Sequence, residues 1–424
     1  MSITKSAELV NYAERARPPR LIDSFEAFVG LRKGFATDSR DELLKYSHWA
    51  KALNEANLHI TVREDEISAA SDAYQKVAEH LAANLSWPPE AILIRTQGSV
   101  STKTLIRSPN GGEKFDIDAV CQVDISRVEA TNPMGFFESI GRALTELEAQ
   151  AKRRCWNLPF PNERFYLEFT PSVPLITIPT QTLQVMAPRY SASRYAKSAL
   201  AVVDTPTKDW KTSNPAGISQ WVDDTAKRPL ILQIAMEAYA ADRAKASVSP
   251  VPDQTVEITD TLRVAIRLFK RHRDMCAKRQ IIDSSTKPIS IIIVTLLTTC
   301  YEGFADLGRS FEHPVELLAA LADLLPHLVL KLDGKYRIDN PTVEGENFAE
   351  KWNDDDGERY RSFKTWCDTL SADLKTILAL TDQQAVAKQV REVFGIPAPS
   401  GGGSGLPSIQ PPAPRATPAT SGLA

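Results

Sequence analysis

The chain has few cysteines, and their spacing excludes the usual zinc and dithiol redox motifs. The five thiols are odd in number, lie far apart and mostly fall in apolar stretches: Cys121, Cys155, Cys276, Cys300 and Cys367. No pair has the Cys-x-x-Cys spacing, and the six histidines show no partner spacing of the kind that structural zinc sites use. We therefore predict buried free thiols in a reducing compartment, and no zinc.

Long apolar runs and an excess of one charge are also lacking. No run approaches the ~18 apolar residues that a membrane-spanning helix needs. The acidic residues Glu8, Glu14 and Asp23 leave no apolar core of signal-peptide length near the N-terminus. These features predict a cytoplasmic protein with no membrane partner.

The 50 basic and 53 acidic residues give a net charge of −3, so we expect no stable nucleic-acid partner and only local nucleotide chemistry.

The composition that remains is typical of a soluble globular protein. Of its residues, 43% are hydrophobic and 24% are charged. The length of 424 residues is enough for two packed domains. Helical spacing runs from about residue 41 to 85, where Trp87-Pro88-Pro89 ends it. A further helical pattern at 137–151 is enclosed by strand-like runs, at 92–94, 115–124 and 164–169. This order of elements favours a mixed α/β fold.

The second half of the chain predicts a mainly helical lobe. From Arg228 onward the apolar positions have helical spacing, and Gly395 supplies a C-terminal cap for the last helix. The residues after it are rich in Pro, Gly, Ser and Ala, so we expect a disordered tail. The predicted organisation is an N-terminal helical segment, an α/β core, a helical lobe and the tail, over residues 1–85, 86–227, 228–395 and 396–424.

Two aspartates, Asp116 and Asp118, lie two residues apart in the second predicted strand. Because side chains alternate across a strand, both carboxylates project to the same face. That arrangement suits Mg²⁺, which prefers oxygen ligands and usually combines one or two carboxylates with substrate phosphates. The pair alone is weak evidence, since aspartates two apart also occur on solvated strands.

A glycine and a serine, Gly98 and Ser99, follow the first predicted strand and precede the aspartates. Glycine allows close approach of a triphosphate and serine can donate to phosphate oxygen, although a simple loop would look the same. Together with the Asp-x-Asp strand, this segment resembles the signature of polymerase-β-like nucleotidyltransferases. The resemblance implies a third acid on a neighbouring strand. Glu168 is the candidate, where the family usually has aspartate; Glu163 and Asp124 are weaker substitutes, and a surface glutamate is the structural alternative.

Later segments resemble a narrower group, the CD-NTases, which are bacterial relatives of cyclic GMP–AMP synthase that act in anti-phage signalling (CBASS). The similarity spans about residues 85–395, and it depends on the order and spacing of several motifs. These are Trp210 to Trp221 with Ser213-Asn214-Pro215-Ala216-Gly217, Leu262 to Asp274, Lys287-Pro288-Ile289-Ser290, Asn340-Pro341, Glu346-Asn347-Phe348 and Trp352. The resemblance implies a polymerase-β-like nucleotidyltransferase core and a helical second lobe, with the active site between them.

The resemblance also implies roles for residues outside the acidic set. Lys270 and Ser290 would contact triphosphate from the helical lobe, where a lysine point charge and a helix N-terminus both favour an anion. Asn214 would line the base pocket. The alternative for Lys270 is that Lys270-Arg271-His272-Arg273 is a solvated basic helix face.

The implied chemistry is nucleotidyl transfer between nucleoside triphosphates such as ATP and GTP. Asp116, Asp118 and Glu168 would hold two Mg²⁺ ions, with Mn²⁺ as an alternative ion, while Gly98 and Ser99 hold the donor phosphates and pyrophosphate leaves. The product would be a cyclic di- or trinucleotide messenger that acts on a downstream effector. Two alternatives stay open: transfer of one nucleotide to an RNA 3′ end or a small acceptor, and a catalytically silent nucleotide-binding regulator.

The tail ends with Ser421-Gly422-Leu423-Ala424. Some CD-NTases are similar to ubiquitin in carrying a flexible tail whose small terminal residue is joined to targets by a partner enzyme with E1- and E2-like parts. The resemblance implies such a conjugating partner acting at Ala424. An inert disordered end is the alternative.

Overall fold

The computed structural model describes residues 4–17, 39–62, 64–88, 91–179, 194–231, 256, 259–311 and 313–398. The helices are α1 Lys5–Ala16, α2 Ser39–His59, α3 Glu64–Leu85, α4 Gly98–Ser101, α5 Pro133–Ala143, α6 Pro215–Ala226, α7 Thr261–Lys278, α8 Ser290–Asp306, α9 Pro314–Leu324, α10 Glu358–Ala379 and α11 Gln383–Phe394. The strands are β1 Ile92–Thr96, β2 Phe115–Val123, β3 Gln150–Ala151, β4 Trp156–Leu158, β5 Phe165–Pro174, β6 Leu200–Asp204, β7 Asp209–Ser213, β8 Leu330–Leu332 and β9 Lys335–Arg337. The tail from residue 399 onward, with Ala424, lies outside the described residues.

The helical stretch predicted over 41–85 is two helices, because the chain leaves the helix after His59. Ile60-Thr61-Val62 is a run of three β-branched residues, which are weak helix formers. Ile60 is buried in the hydrophobic cluster of the helical lobe, whereas Val62 is buried in the cluster under the sheet. The break therefore marks the point where the chain passes from one core to the other.

The main sheet contains the predicted strands and extends them. Its central path is β1-β2-β5-β4-β3, and β6 pairs with both β5 and β7. β2 and β5 are parallel, whereas β1 and β4 are antiparallel to them. β5 runs past the predicted end at Phe169, through Pro171 to Pro174. Proline lacks an N–H for the ladder, and the Ser172 hydroxyl donates to the Cys121 carbonyl at 3.0 Å beside it.

Two hydrophobic clusters underlie the two lobes. One lies under the sheet and combines β2 and β5 with α3 and α5. The other joins α7, α8, α9, α10 and α11 and also takes in α1, α2 and α6. α6 contributes Ile218, Trp221 and Val222 to this second cluster, so the change of core comes before residue 228, close to Asn214.

The predicted cap at Gly395 is confirmed. Gly395 has φ of +62°. Its N–H donates to the Glu392 carbonyl and the N–H of Ile396 donates to the Arg391 carbonyl, both in the last turn of α11. All five cysteines are free and buried, as predicted. Each helix of the described ranges is either too short or too polar to span a lipid bilayer.

Candidate active site

Three acidic side chains lie side by side on one face of the sheet. Asp116 and Asp118 are on β2, and the parallel strand β5 places Glu168 directly opposite Asp118 and Tyr166 opposite Asp116. Residues in register on neighbouring strands point to the same face, as do residues two apart on one strand. The backbone alone thus brings the three predicted acids together.

The turn after β1 packs directly on this acidic face. Gly98 has φ of +61°, in the left-handed region that favours glycine, and a Cβ at this position would overlap the carboxylate of Asp118. The N–H of Gln97 donates to the Asp118 carbonyl at 2.9 Å. Gly98 and Ser99 then begin the short helix α4. This turn and the aspartate strand therefore form one unit, and only glycine fits where they meet.

The negative charge of the pair has no partner in the described part of the protein. The carboxylates of Asp116 and Asp118 make no hydrogen bond or ion pair with any described residue. Burial, followed by the nearby charges of Asp116 and Glu168, raises the pKa of Asp118 to about 8. Crowded, partly desolvated carboxylates of this kind are stabilised by a bound cation, and carboxylate oxygen is the ligand that Mg²⁺ prefers. The donor set of the aspartate pair fits a divalent cation.

Glu168 faces a different environment. Its Oε1 pairs with Lys152 Nζ, and its Oε2 lies 3.6 Å from Cys155 Sγ. Across the described ranges, no group of three His, Cys, Asp or Glu side chains is arranged to hold a metal. Glu168 is therefore in register with Asp118, but its carboxylate pairs with side chains of the β3–β4 hairpin. The substitutes lie elsewhere: Glu163 is exposed before β5, and Asp124 caps the turn after β2.

A cavity of about 670 Å³ lies over the aspartates, between the two lobes. The sheet side contributes Gly98, Ser99, Asp116, Asp118 and Tyr166, and the helical side includes Lys270, Arg273, Lys287, Ser290, Asn340, Glu346 and Phe348. The cavity thus brings together every predicted site residue except Glu168, which is not among its lining residues. Tyr166, Arg273 and Lys287 were not predicted. Tyr166 could have been found from its spacing, since it lies two residues before Glu168 on the same face.

The basic run on α7 is buried, so the alternative of a solvated basic face is wrong. Lys270, Arg271, His272 and Arg273 are each at most 6% exposed. Lys270 Nζ donates to the Thr104 carbonyl at 2.8 Å, and Arg271 Nη1 donates to the Arg107 carbonyl at 3.1 Å. Burial, followed by the charge of Arg273, lowers the pKa of Lys270 to about 8. A lysine ammonium has three donors, so Lys270 can hold Thr104 and still donate to a phosphate.

Ser290 begins α8 and is bonded to α7. Arg273 Nη1 donates to the Pro288 carbonyl at 2.9 Å and to Ser290 Oγ at 3.2 Å. Lys287 Nζ lies 3.4 Å from Asp274 Oδ1. Two cationic side chains therefore stand beside a helix N-terminus that lines the cavity, an arrangement suited to phosphate.

Asn214 lines the cavity, but its amide is used inside the protein. Its Oδ1 accepts from Gly217 N–H at 3.0 Å and from Ser198 Oγ at 2.8 Å. Its Nδ2 donates to the carbonyls of Tyr195 and Thr342, at 2.9 and 3.1 Å. Asn214 is thus the N-cap of α6 and a bridge between lobes, which favours a structural role over contact with a base.

The same capping motif occurs a second time and supplies a matched comparison. Asn132 Oδ1 caps α5 by accepting from Gly135 N–H at 2.9 Å, at an exposed site. We expect Asn132→Ala to cost about 1 kcal/mol, the usual loss for a cap. Asn214→Ala should cost about 1 to 3 kcal/mol more, because it also leaves buried partners unpaired. Chemical denaturation of both variants measures the difference, and equal losses would contradict the bridging role.

The fold and motif order have counterparts among known proteins. No family model matches the chain. A curated c-di-GMP synthase from Roseivirga ehrenbergii is 24% identical over 335 residues, covering 76% of this chain and 78% of that protein. The solved Bradyrhizobium diazoefficiens CD-NTase CdnG, in complex with GTP, has a TM-score of 0.54 at 16% identity and covers 82% of this chain and 98% of its own.

A second solved structure gives the same result. Escherichia coli DncV, in a form bound to 3′-deoxy GTP, has a TM-score of 0.52 at 15% identity, over 80% of this chain and 92% of its own. These likenesses show the shared two-lobed fold, and the curated relative adds similarity in sequence over most of the chain. The chain has the fold of the CD-NTases CdnG and DncV, and over most of its length it is similar in sequence to a c-di-GMP synthase.

Proposed function

We propose that this protein is a divalent-metal-dependent nucleotidyltransferase that joins nucleoside triphosphates into a cyclic di- or trinucleotide. The observation that carries the proposal is the register of β2 and β5, which puts Glu168 directly opposite Asp118, while Asp116 and Asp118 line the cavity between the lobes. The curated relative is named as a c-di-GMP synthase, which supports GTP as a substrate. ATP is the second candidate.

The protein's own contribution is positioning and charge. Gly98 and Ser99 hold the donor phosphates against the aspartate strand, and Lys270, with the α8 N-terminus at Ser290, approaches from the opposite wall. Asp116 and Asp118, assisted by Glu168, would hold Mg²⁺. When bound there, the ions would activate the acceptor hydroxyl and neutralise the triphosphate. Little covalent chemistry is then required of the protein, since phosphoryl transfer depends on alignment and electrostatics.

Ring closure requires the linear intermediate to present its other end to the same acids. The cavity has walls from both lobes, and α7 ties them together by donating to the carbonyls of Thr102, Thr104 and Arg107. Walls on both sides give a linear intermediate contacts with the protein in either orientation. A cavity with walls from both lobes favours a cyclic product over a transfer to RNA, which needs a long basic channel.

The test is a product assay with the full chain. Purified protein incubated with labelled ATP, GTP, CTP and UTP and Mg²⁺ should release pyrophosphate and form a product that alkaline phosphatase does not degrade. EDTA should abolish product, and added Mn²⁺ in excess of EDTA should restore it. A phosphatase-sensitive linear product would support single-nucleotide transfer instead. Nucleotide binding without pyrophosphate release would support the silent regulator, which the Lys152–Glu168 ion pair favours.

The wider role belongs to the same proposal. The resemblance supports a cytoplasmic enzyme of CBASS anti-phage defence whose product acts on a downstream effector. It also supports conjugation at Ala424 by an E1- and E2-like partner.

A further inference from the structure

The hairpin β3–β4 lies beside the third acid, and its turn carries three consecutive basic residues followed by a cysteine. β4 is antiparallel to β5 and places Asn157 opposite Glu168. The turn is closed by a hydrogen bond from the Lys152 N–H to the Cys155 carbonyl at 2.8 Å. Lys152 and Cys155, at the two ends of this turn, both contact Glu168.

Two residues of this hairpin contact both oxygens of Glu168. Lys152 Nζ pairs with Oε1, and Cys155 Sγ lies 3.6 Å from Oε2. Lys152 Nζ also lies 5.4 Å from the centroid of the Tyr166 ring, on the same sheet face. Lys152 is the one cation paired with any of the three acids among the described residues. It supplies a positive charge to the carboxylate that is expected to bind the metal.

The two arginines of the hairpin are held by ion pairs, whereas the Lys152 side chain is partly exposed and can change its partner. Arg153 and Arg154 both donate to Asp204 Oδ1, at 2.7 and 3.0 Å, and Asp204 is fully buried. Both also reach Glu350 of the helical lobe at 3.4 Å. The Lys152 side chain, by contrast, is 45% exposed, and Glu168 is 24% exposed. A partly solvated pair on a fixed hairpin can open at little cost.

We propose that Lys152 is a positioning residue that neutralises Glu168 in the empty enzyme and yields it to the divalent cation when metal and nucleotide bind. The inference rests on the proposed function and extends it. A divalent ion at Asp118 can attract Glu168 more strongly than one lysine charge does, because it has twice the charge and binds carboxylate oxygen directly. Lys152 thus competes with the metal for one carboxylate. As long as no metal is bound, the Lys152 ammonium compensates the negative charge of Glu168 beside Asp118.

The competition predicts a tighter metal site when Lys152 is removed. Mn²⁺ binding to the nucleotide-free protein, followed by electron paramagnetic resonance of free Mn²⁺, should tighten about two- to fivefold in Lys152→Met, the range set by a partly exposed ion pair. Lys211→Met is the matched control, because Lys211 is also partly exposed and pairs with Glu350 instead. Its Mn²⁺ affinity should match that of the wild type.

A double-mutant cycle separates competition for Glu168 from a general effect of charge. In a Glu168→Gln background, Lys152→Met should leave Mn²⁺ affinity unchanged, since the carboxylate for which Lys152 competes is gone. An equal gain in both backgrounds, an equal gain in Lys211→Met, or no gain at all would overturn the proposal. Asp116→Asn/Asp118→Asn tests the site itself. If it binds Mn²⁺ as well as the wild type does, the metal assignment in the proposed function fails.

Discussion

Replacing both strand aspartates, as Asp116→Asn/Asp118→Asn, should lower the rate of pyrophosphate release by about 10³-fold or more. Metal ions that stabilise transition-state charge contribute several kcal/mol, and each ~1.4 kcal/mol is tenfold in rate. Asparagine keeps the size of both side chains but removes the charge that holds the cation. Rates measured with saturating triphosphate and Mg²⁺ give the comparison.

The fold should survive this change and should become more stable without metal. Asp116 and Asp118 place like charges close together, and Asp118 is partly desolvated, so the apo protein bears a cost that asparagine removes. We expect a higher melting temperature in EDTA. Asp124→Asn is the control, since Asp124 lies just beyond the same strand and caps a turn that asparagine also caps. Its activity should stay within about twofold of wild type, as for surface changes generally. Retained activity in the double variant would contradict the account.

Gly98→Ala should have the second largest effect. The residue needs φ of +61°, and a methyl group would overlap the Asp118 carboxylate, so both the turn and the aspartate must shift. A misplacement of about 1 Å can cost 10²-fold in rate. We expect kcat/KM to fall by at least about that factor, with the helical content measured by circular dichroism unchanged.

Gly111→Ala provides the matched glycine substitution. Gly111 lies in the loop before β2, and nothing within 4 Å would meet an added Cβ. Its kcat/KM should stay near the wild-type value. If both alanine variants were equally active, close packing of the β1 turn against Asp118 would not matter for catalysis.

The sequence was sufficient to predict the acidic face because strand geometry is local. A spacing of two puts Asp116 and Asp118 on one side whatever the rest of the fold does. The partnership of Glu168 is different, since register between β2 and β5 depends on distant residues and was inferred only from the family resemblance. Its glutamate, one methylene longer than aspartate, reaches the Lys152 hairpin instead of the cavity lining.

Burial of charge was the property that sequence could not predict. The run from Lys270 to Arg273 has the composition of a solvated helix face, but α7 is surrounded by other elements and each side chain finds a carbonyl or carboxylate. The prediction that Asn214 lines a base pocket came from the motif alone, which gives no information on the partners of its side chain. Its amide belongs to a helix cap and to bonds across the lobes, which only the tertiary structure supplies.

The central claim is that the acids of β2 and β5 coordinate divalent cations beside a bound triphosphate. The most direct measurement is anomalous diffraction from crystals grown with Mn²⁺ and a non-hydrolysable GTP analogue. We predict manganese peaks within bonding distance of Asp116 and Asp118, with Glu168 turned from Lys152 toward the metal and the triphosphate against Gly98 and Ser99. Manganese peaks elsewhere, or a triphosphate bound with no metal at these aspartates, would contradict the account.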